Sequence, residues 1–119
     1  MSEMSQNSSL ALPKAGKGAG VLILHAWWGL NDFFTNLADR LAAEGFTVLA
    51  PDLYGGRTAA TIQEAEELSG TLDHREAIKD VTGAAEYLLA HPSVEGSALG
   101  AVGFSMGAAY ATWLATLKP

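Results

Sequence analysis

The pentapeptide Gly103-Phe104-Ser105-Met106-Gly107 constrains the fold of this chain more than any other stretch. An apolar run over Ala98–Val102 precedes it, and an alanine-rich run over Ala108–Leu117 follows it, so it joins a predicted strand to a predicted helix. A sharp turn between these elements forces strained backbone angles on the serine and requires neighbours without side chains. We therefore expect Ser105 to stand above the sheet edge, at the N-terminus of a helix with free N–H groups.

A G-x-S-x-G sequence between a strand and a helix is typical of a nucleophile elbow, and it predicts that Ser105 is a catalytic serine. The other elements alternate in the same way. Two further apolar runs without alternation are typical of strands buried on both faces, and helical patterns separate them. The predicted order is strand Val21–Leu24, a helix capped by Asn31 or Asp32 and closed by Gly45, strand Phe46–Ala50, a helix over Thr61–Ser69 broken by Gly70, and a helix from Asp73 to His91.

This alternation predicts the α/β class, with right-handed crossovers and a parallel sheet that has helices on both faces. A length of 119 residues allows one domain. Residues 1–18 are polar and rich in Ser, Lys and Gly, so we predict a mobile N-terminal tail, or alternatively a weak leading strand. Residues 19–119 form the predicted domain.

The charge and composition limit the partners. The net charge of −6 argues against a nucleic acid or an anionic membrane surface. No apolar run reaches the length of a membrane span, and Met1–Ser9 lacks the apolar core of a signal peptide, which favours a cytoplasmic location. Without cysteine there is no disulfide or thiolate site. We predict no metal and no cofactor.

Three spaced motifs give the chain a family resemblance that spans about Gly20 to Leu117. The motifs are His25-Ala26-Trp27-Trp28-Gly29-Leu30-Asn31-Asp32, Ala50-Pro51-Asp52-Leu53-Tyr54-Gly55 and the Ser105 pentapeptide. In this order and spacing they resemble the dienelactone hydrolase family. The resemblance implies an α/β-hydrolase fold, of which this chain is similar to the N-terminal half, and hydrolysis of a small ester or lactone through an acyl-enzyme.

On matched positions, the resemblance implies that Ser105 is the nucleophile. The backbone N–H groups of Met106 and Trp27 are the implied oxyanion hole. Candidate residues for a substrate pocket are His25, Trp28, Leu30 and Tyr54. For Phe33 we favour packing in the core over a place in an apolar acyl pocket.

The chain departs from the best-known members of the family at three places. Ser105 stands where those members have cysteine, and Ala26 stands where they have glutamate. The Thr61–Leu68 stretch contains no arginine, which those members use near there to hold a substrate carboxylate. Dienelactone itself is therefore not the substrate that we predict.

The acid and the base of a triad have no candidate after Ser105, because Met106–Pro119 contains no Asp, Glu or His. This fold places both after the nucleophile, so the sequence indicates a truncated frame or fragment. His25 is the one earlier residue that could act as a base, although a histidine that orders its loop is the favoured interpretation. His74 and His91 are predicted surface residues, and Asp52 is predicted to form a turn.

The family resemblance implies that the Val21 strand lies between the Phe46 strand and the last strand, Ala98–Phe104. This last strand is predicted to be an unprotected sheet edge without charge, proline or bulge. We therefore expect self-association through this edge. The alternative to catalysis is an inactive half-fold fragment or a binding and interaction module. A nucleotide-binding module is a third option, and it is weak because no G-x-G-x-x-G or P-loop sequence follows a strand.

Overall fold

The computed structural model describes residues 8–117 and consists of a four-stranded sheet with four helices. The strand order is β1-β3-β2-β4. The elements are β1 (Ser9–Ala11), β2 (Gly18–Leu24), α1 (Asp32–Ala43), β3 (Thr47–Ala50), α2 (Ile62–Thr71), α3 (His74–Ala90), β4 (Val94–Gly103) and α4 (Met106–Leu117).

The three strands that the sequence predicts are parallel to one another, and β2 lies between β3 and β4 as expected. The wholly parallel sheet is a wrong prediction in one respect: β1 pairs with β3 in the antiparallel sense, so the sheet is mixed. A short edge strand of opposite direction is common on sheets that are otherwise parallel.

Within the predicted N-terminal tail, the structure has the leading strand β1, whose backbone pairs with β3 over three residues. The Oγ of Ser8 also accepts a hydrogen bond from the Asp52 N–H at 2.9 Å. From Ser9 to Ala11 the structure thus has the weak leading strand, which was the alternative to a mobile tail. The sequence did not decide between the two because backbone hydrogen bonds, and not a long apolar run, hold β1 on the sheet. The part of the predicted tail before Ser8 lies outside the described residues.

The core has two halves, one on each face of the sheet, because alternate residues of β2 point in opposite directions. Val21 and Ile23 pack with the α1 side chains Phe34, Ala38 and Ala42. On the other face, Leu22 and Leu24 pack with side chains of α3 and α4, namely Ala77, Val81, Ala84, Ala85, Leu88, Tyr110 and Leu114. Helices therefore cover both faces, as the buried strands without alternation predict.

The start of α1 follows the sequence prediction, but the end of α2 does not. Asn31 caps α1 by accepting a hydrogen bond from the Phe33 N–H, and Gly45 follows the last turn with a φ of +103°. The prediction that Gly70 ends the next helix is wrong, since α2 continues to Thr71. One exposed glycine costs a helix only about 1 kcal/mol, so Gly70 weakens α2 without ending it at that residue.

Strand β4 begins earlier than predicted and contains an irregularity. Its register against β2 jumps from Ala19 opposite Glu95 to Gly20 opposite Leu99, so β4 bulges between these two pairs. The unpaired residues of this bulge, Gly96–Ala98, precede the predicted edge Ala98–Phe104 except at its first residue. From Leu99 to Gly103 the pairing with β2 is regular, and within residues 8–117 the other side of β4 has no strand partner.

Among the helices of residues 8–117, none has the length and apolar character that a membrane-spanning helix needs.

Candidate active site

Ser105 lies at the junction of β4 and α4, where the sequence places the elbow. Its φ of +53° is the sole positive φ of a residue other than glycine within residues 8–117. Left-handed backbone costs an L-residue with a side chain about 1–2 kcal/mol. The side chain of Ser105 is exposed, and the residue stands between the last strand residue, Gly103, and the first helical residue, Met106. The turn therefore holds the hydroxyl outside the packed core.

The two glycines of the elbow are required by close contacts. A Cβ on Gly103 would come within 2.6 Å of the Ala108 N and Cα atoms at the start of α4. A Cβ on Gly107 would overlap the carbonyl group of Leu24, the last residue of β2. Strand and helix thus approach at Gly103 as predicted, whereas Gly107 makes room for the neighbouring strand.

The two N–H groups that we expect in an oxyanion hole belong to different segments. Met106 is the first residue of α4, and a first-turn N–H has no partner inside its own helix. Trp27 lies in the loop that follows β2. Within residues 8–117, neither N–H donates a hydrogen bond to another backbone group, whereas the Gly107 N–H donates to the Phe104 carbonyl. Neither predicted donor is therefore taken up by the backbone of the described residues, and their joint role in an oxyanion hole stays a prediction.

His25 follows β2 directly, and the core encloses it completely: 0% of its side chain is exposed. Its Nδ1 lies 2.7 Å from the Ala26 carbonyl oxygen, and its Nε2 accepts a hydrogen bond from the Leu53 N–H at 3.0 Å. Burial lowers the pKa of His25, although the Ala26 carbonyl and the Asp52 carboxylate act in the opposite direction. The structure thus has the loop-ordering histidine, with no ring nitrogen free to serve Ser105 as a base.

Asp52 also orders a loop, as the default interpretation of its sequence predicts. Its carboxylate accepts hydrogen bonds from the Tyr54 N–H at 2.9 Å and from the Gly56 N–H at 2.6 Å. These bonds fix the segment that follows β3. The carboxylate is therefore engaged in its own turn.

Tyr54 is buried, with 3% of its surface exposed, and its hydroxyl donates to the Met106 Sδ at 3.5 Å. Burial, and then the nearby Tyr110, raises the pKa of the Tyr54 phenol. We predicted that His25 and Tyr54 line a pocket. In the structure, both side chains are instead buried beneath the elbow. The tertiary contacts that bury them are not visible in the sequence motifs.

Of the four predicted pocket residues, Trp28 and Leu30 retain accessible surface. Trp28 forms an edge-to-face pair with Trp27 at 6.0 Å between ring centroids. Phe33 differs from the prediction of core packing, because 60% of its surface is exposed and Phe34 takes the buried position. The Phe33 ring lies 5.9 Å from that of Phe104, the neighbour of Ser105. This aromatic pair beside the nucleophile was missed, although the position of Phe104 inside the motif was a signal for it.

His74 and His91 do not reach the elbow through a hydrogen bond of their ring nitrogens. His91 Nδ1 accepts from the Ser93 N–H at 3.0 Å, and His74 Nδ1 lies 2.7 Å from the Tyr110 hydroxyl. The contact with Tyr110 joins the start of α3 to α4. Sequence analysis missed Tyr110, although its spacing of four residues from Met106 places both on one helical face.

Comparisons with known proteins agree with this geometry. The model of the dienelactone hydrolase family matches residues 7–119. A carboxymethylenebutenolidase of Rhodococcus opacus is 30% identical over 112 residues, which are 87% of this chain and 41% of that protein. The chain also resembles the structure of a dienelactone hydrolase-like promiscuous phosphotriesterase from metagenomic libraries, with 32% identity and a TM-score of 0.72 over 87% of this chain and 44% of that one.

A more distant structure supports the fold alone. Est1E from Butyrivibrio proteoclasticus, solved with ferulic acid, is 17% identical with a TM-score of 0.72, over 99% of this chain and 47% of that one. The chain thus spans less than half the length of each of these proteins. The family match covers the strand, loop and helix that build the elbow, and the chain belongs to the dienelactone hydrolase family.

Proposed function

We propose that this chain carries the nucleophile and the oxyanion hole of a serine hydrolase that cleaves a small ester or lactone. The observation that carries the proposal is the exposed Ser105 at a φ of +53°, on a bend whose flanking glycines are enforced by contacts. Strain of this kind persists where the surrounding structure imposes it, and it concentrates at functional sites.

The proposed reaction begins when Ser105 Oγ attacks the carbonyl carbon of the substrate and loses its proton to a base. The carbonyl oxygen becomes an oxyanion, to which the N–H groups of Met106 and Trp27 donate. The C–O bond to the leaving alcohol then breaks, the alcohol oxygen takes up a proton, and an acyl-enzyme remains on Ser105. Water then attacks the acyl carbon and loses a proton to the base, the bond from the acyl carbon to Ser105 Oγ breaks, Ser105 Oγ takes up a proton, and the acid is released. Removal of one oxyanion-hole donor costs other enzymes about 10²–10³ in rate.

The base and the acid are proposed to come from outside these 119 residues. All three histidines of the chain form other hydrogen bonds: His25 with two loops, His74 with Tyr110 and His91 with Ser93. A serine hydroxyl depends on a positioned base more than a thiol does. The chain alone is therefore expected to react with an activated acyl or phosphonyl group, but to turn over slowly.

The substrate is proposed to be small and partly apolar at its acyl side. Phe33 and Phe104 present an aromatic surface beside Ser105, and Trp28 and Leu30 keep accessible apolar surface on the loop after β2. The name of the Rhodococcus opacus relative, carboxymethylenebutenolidase, supports a lactone as the first substrate class to test.

The test is labelling with a fluorophosphonate, followed by mass spectrometry of the modified peptide. We expect Ser105 to react at least tenfold faster than Ser97. Ser97 is also exposed, lies on β4 and serves as the internal control. Ser105→Ala should abolish the fast labelling and Ser97→Ala should not. Equal labelling of the two serines would remove the basis for a nucleophile at position 105.

One observation favours a second candidate function: Met106–Pro119 contains no Asp, Glu or His. On this alternative the chain is an inactive half-fold or a binding module, and the elbow is a relic. An esterase assay on this chain distinguishes the two. Because this chain alone is expected to turn over slowly, the readout is the burst of acylation by an activated ester. A burst that Ser105→Ala abolishes supports catalysis, whereas a burst that is absent or unaffected by this substitution supports the alternative.

A further inference from the structure

The imidazole of His25 joins two loops of the site through their backbones. Its Nε2 accepts a hydrogen bond from Leu53 N–H, in the segment after β3, and its Nδ1 lies 2.7 Å from the Ala26 carbonyl oxygen, in the loop after β2. A backbone N–H can only donate and a carbonyl can only accept. The buried ring is therefore the neutral tautomer with its hydrogen on Nδ1, which donates to Ala26.

The Ala26 carbonyl also closes the turn that carries Trp27. It accepts a second hydrogen bond, from the Gly29 N–H at 3.1 Å, which closes a turn over Trp27 and Trp28. One carbonyl thus connects the His25 ring to the turn that presents the Trp27 N–H.

Further contacts hold the two loops together around this ring. The Trp28 carbonyl accepts from the Ala59 N–H at 2.9 Å, and a Cβ on Gly29 would come within 2.6 Å of the Arg57 carbonyl oxygen. The Tyr54 ring packs edge-on against the His25 ring at 5.1 Å between centroids, while its hydroxyl reaches Met106. The loop of Trp27 and the start of α4 at Met106 supply the proposed oxyanion donors, and both therefore contact the buried pair of His25 and Tyr54.

We propose that His25 is a positioning residue, whose neutral imidazole ties the turn of the Trp27 N–H to the segment after β3, and that protonation breaks this tie at Leu53 and loosens the oxyanion hole. The inference rests on the proposed function of Trp27 and deepens it. A protonated ring carries N–H on both nitrogens, so it still donates to the Ala26 carbonyl but no longer accepts from the Leu53 N–H. Two donors then face each other in the core, and the bridge between the loops opens.

The groups around His25 place the protonation of its ring at acid pH. Burial lowers the pKa of the ring, and the carboxylate that favours its charged form, Asp52, is already bound to two backbone N–H groups. The other groups that face the ring are the Phe34 ring from α1 and the Tyr54 phenol, neither of which is charged at neutral pH. From α4, the uncharged backbone of Gly107 lies against the His25 carbonyl oxygen.

The first experiment is an NMR pH titration of the 119-residue chain labelled with ¹⁵N, in which only three histidines need to be assigned. We expect His25 to be the Nδ1–H tautomer at neutral pH and to titrate below 6.5. The Trp27 and Leu53 amide signals should shift with the same midpoint. A ring with its hydrogen on Nε2, or a titration that leaves both amides unmoved, would overturn the proposal.

Two substitutions and a control separate positioning from mere packing. His25→Gln keeps one donor and one acceptor but does not titrate, so the amide shifts at acid pH should disappear while the neutral spectrum is retained. His25→Phe removes both bonds and should displace the Trp27 amide at every pH. His91→Gln alters a histidine that bonds only near its own helix end and should leave the Trp27 and Leu53 titration unchanged.

Labelling of Ser105 by the fluorophosphonate provides the functional measurement. In the wild type, we expect labelling to slow by tenfold or more as His25 takes up its proton. In His25→Gln this decrease at acid pH should be absent, and in His25→Phe labelling should be slow at every pH. Identical pH profiles for the wild type and His25→Gln would contradict the proposal. If Ser105 is not labelled in any variant, the proposed function fails, while the coupled NMR titration still decides whether His25 positions Trp27. If His25→Phe does not fold, the wild-type and His25→Gln titrations decide the question alone.

Discussion

The backbone of Gly107 lies against the carbonyl group of Leu24, so closely that a Cβ at position 107 would overlap the carbonyl oxygen. Leu24 ends β2, whereas Gly107 belongs to the first turn of α4. The same Leu24 carbonyl accepts a hydrogen bond from the Phe104 N–H at 3.1 Å. The bend that presents Ser105 is therefore set by the neighbouring strand as well as by its own sequence.

A side chain at position 107 should destabilise the protein. We expect Gly107→Ala to cost about 1–3 kcal/mol of unfolding free energy, because the methyl group forces β2 and α4 apart. Urea denaturation followed by circular dichroism measures the change. Gly70→Ala is the matched control, since Gly70 lies in a helix with no atom within 4 Å of the new Cβ. It should be neutral or stabilise by up to about 1 kcal/mol, and a loss as large as that at position 107 would contradict the argument.

Replacing the nucleophile by glycine should reveal the strain stored at the elbow. Ser105→Gly removes the side chain that disfavours a φ of +53°, whereas Ser105→Ala keeps a Cβ in the same conformation. We expect the glycine variant to be more stable than the alanine variant by about 1 kcal/mol, and both to lose phosphonate labelling. Thermal and urea unfolding of the pair provides the comparison. Equal stabilities would show that the backbone at position 105 relaxes without cost.

The buried His25 should make stability fall at mildly acid pH. Its folded pKa lies below the ordinary value of 6.5, so the unfolded chain binds the proton more readily. The stability from neutral His25 is therefore complete above pH 6.5 and is lost as the pH falls toward the folded pKa, with a slope of at most about 1.4 kcal/mol per pH unit. Urea unfolding between about pH 7.5 and about pH 5.5 measures it, with these limits roughly one unit either side of the ordinary value of 6.5.

His25→Gln and His91→Gln separate this effect from the other titrating groups. The glutamine at position 25 cannot take up a proton, so the slope just below pH 6.5 should decrease. His91→Gln should keep the wild-type slope from His25. Parallel curves for the wild type and His25→Gln would show that the histidine titrates alike in the folded and unfolded states.

The free side of β4 should promote self-association of this chain. The strand has no charged residue from Gly96 to Gly103, and a groove of about 580 Å³ runs beside it, lined in part by Leu22, Leu99 and Leu114. Unprotected edges of this kind pair with other chains. We expect a second copy to bind here, with a mass above the monomer in sedimentation experiments at high concentration.

A lysine on the edge strand tests this expectation. Val102→Lys places a charge at a residue that is 39% exposed on β4 and should shift the chain toward the monomer. Leu12→Lys is the control, because Leu12 is 50% exposed but follows β1 at the opposite edge of the sheet. A wild-type chain that stays monomeric, or equal effects of the two lysines, would contradict the role of β4.

Local patterns in the sequence predicted most of the elements because their causes are local. The Asn31 cap, the close of α1 before Gly45 and the apolar runs of β2 and β3 all depend on residues near each other in the chain. The same patterns left β1 open between a mobile tail and a weak leading strand, since its three residues are held by pairing with a distant strand. The bulge in β4 likewise depends on its register against β2.

For the site, the sequence by itself determined that a serine stands between a strand and a helix, because the spacing of glycines makes that bend possible. It also determined that the loop after β2 carries Trp27. The tertiary structure decided which side chains face the site and which lie beneath it: His25 and Tyr54 are buried, whereas Phe33 is exposed. The physical reason is that burial and hydrogen bonding depend on how β2, β3 and α4 pack together, and residues far apart in the chain make those contacts.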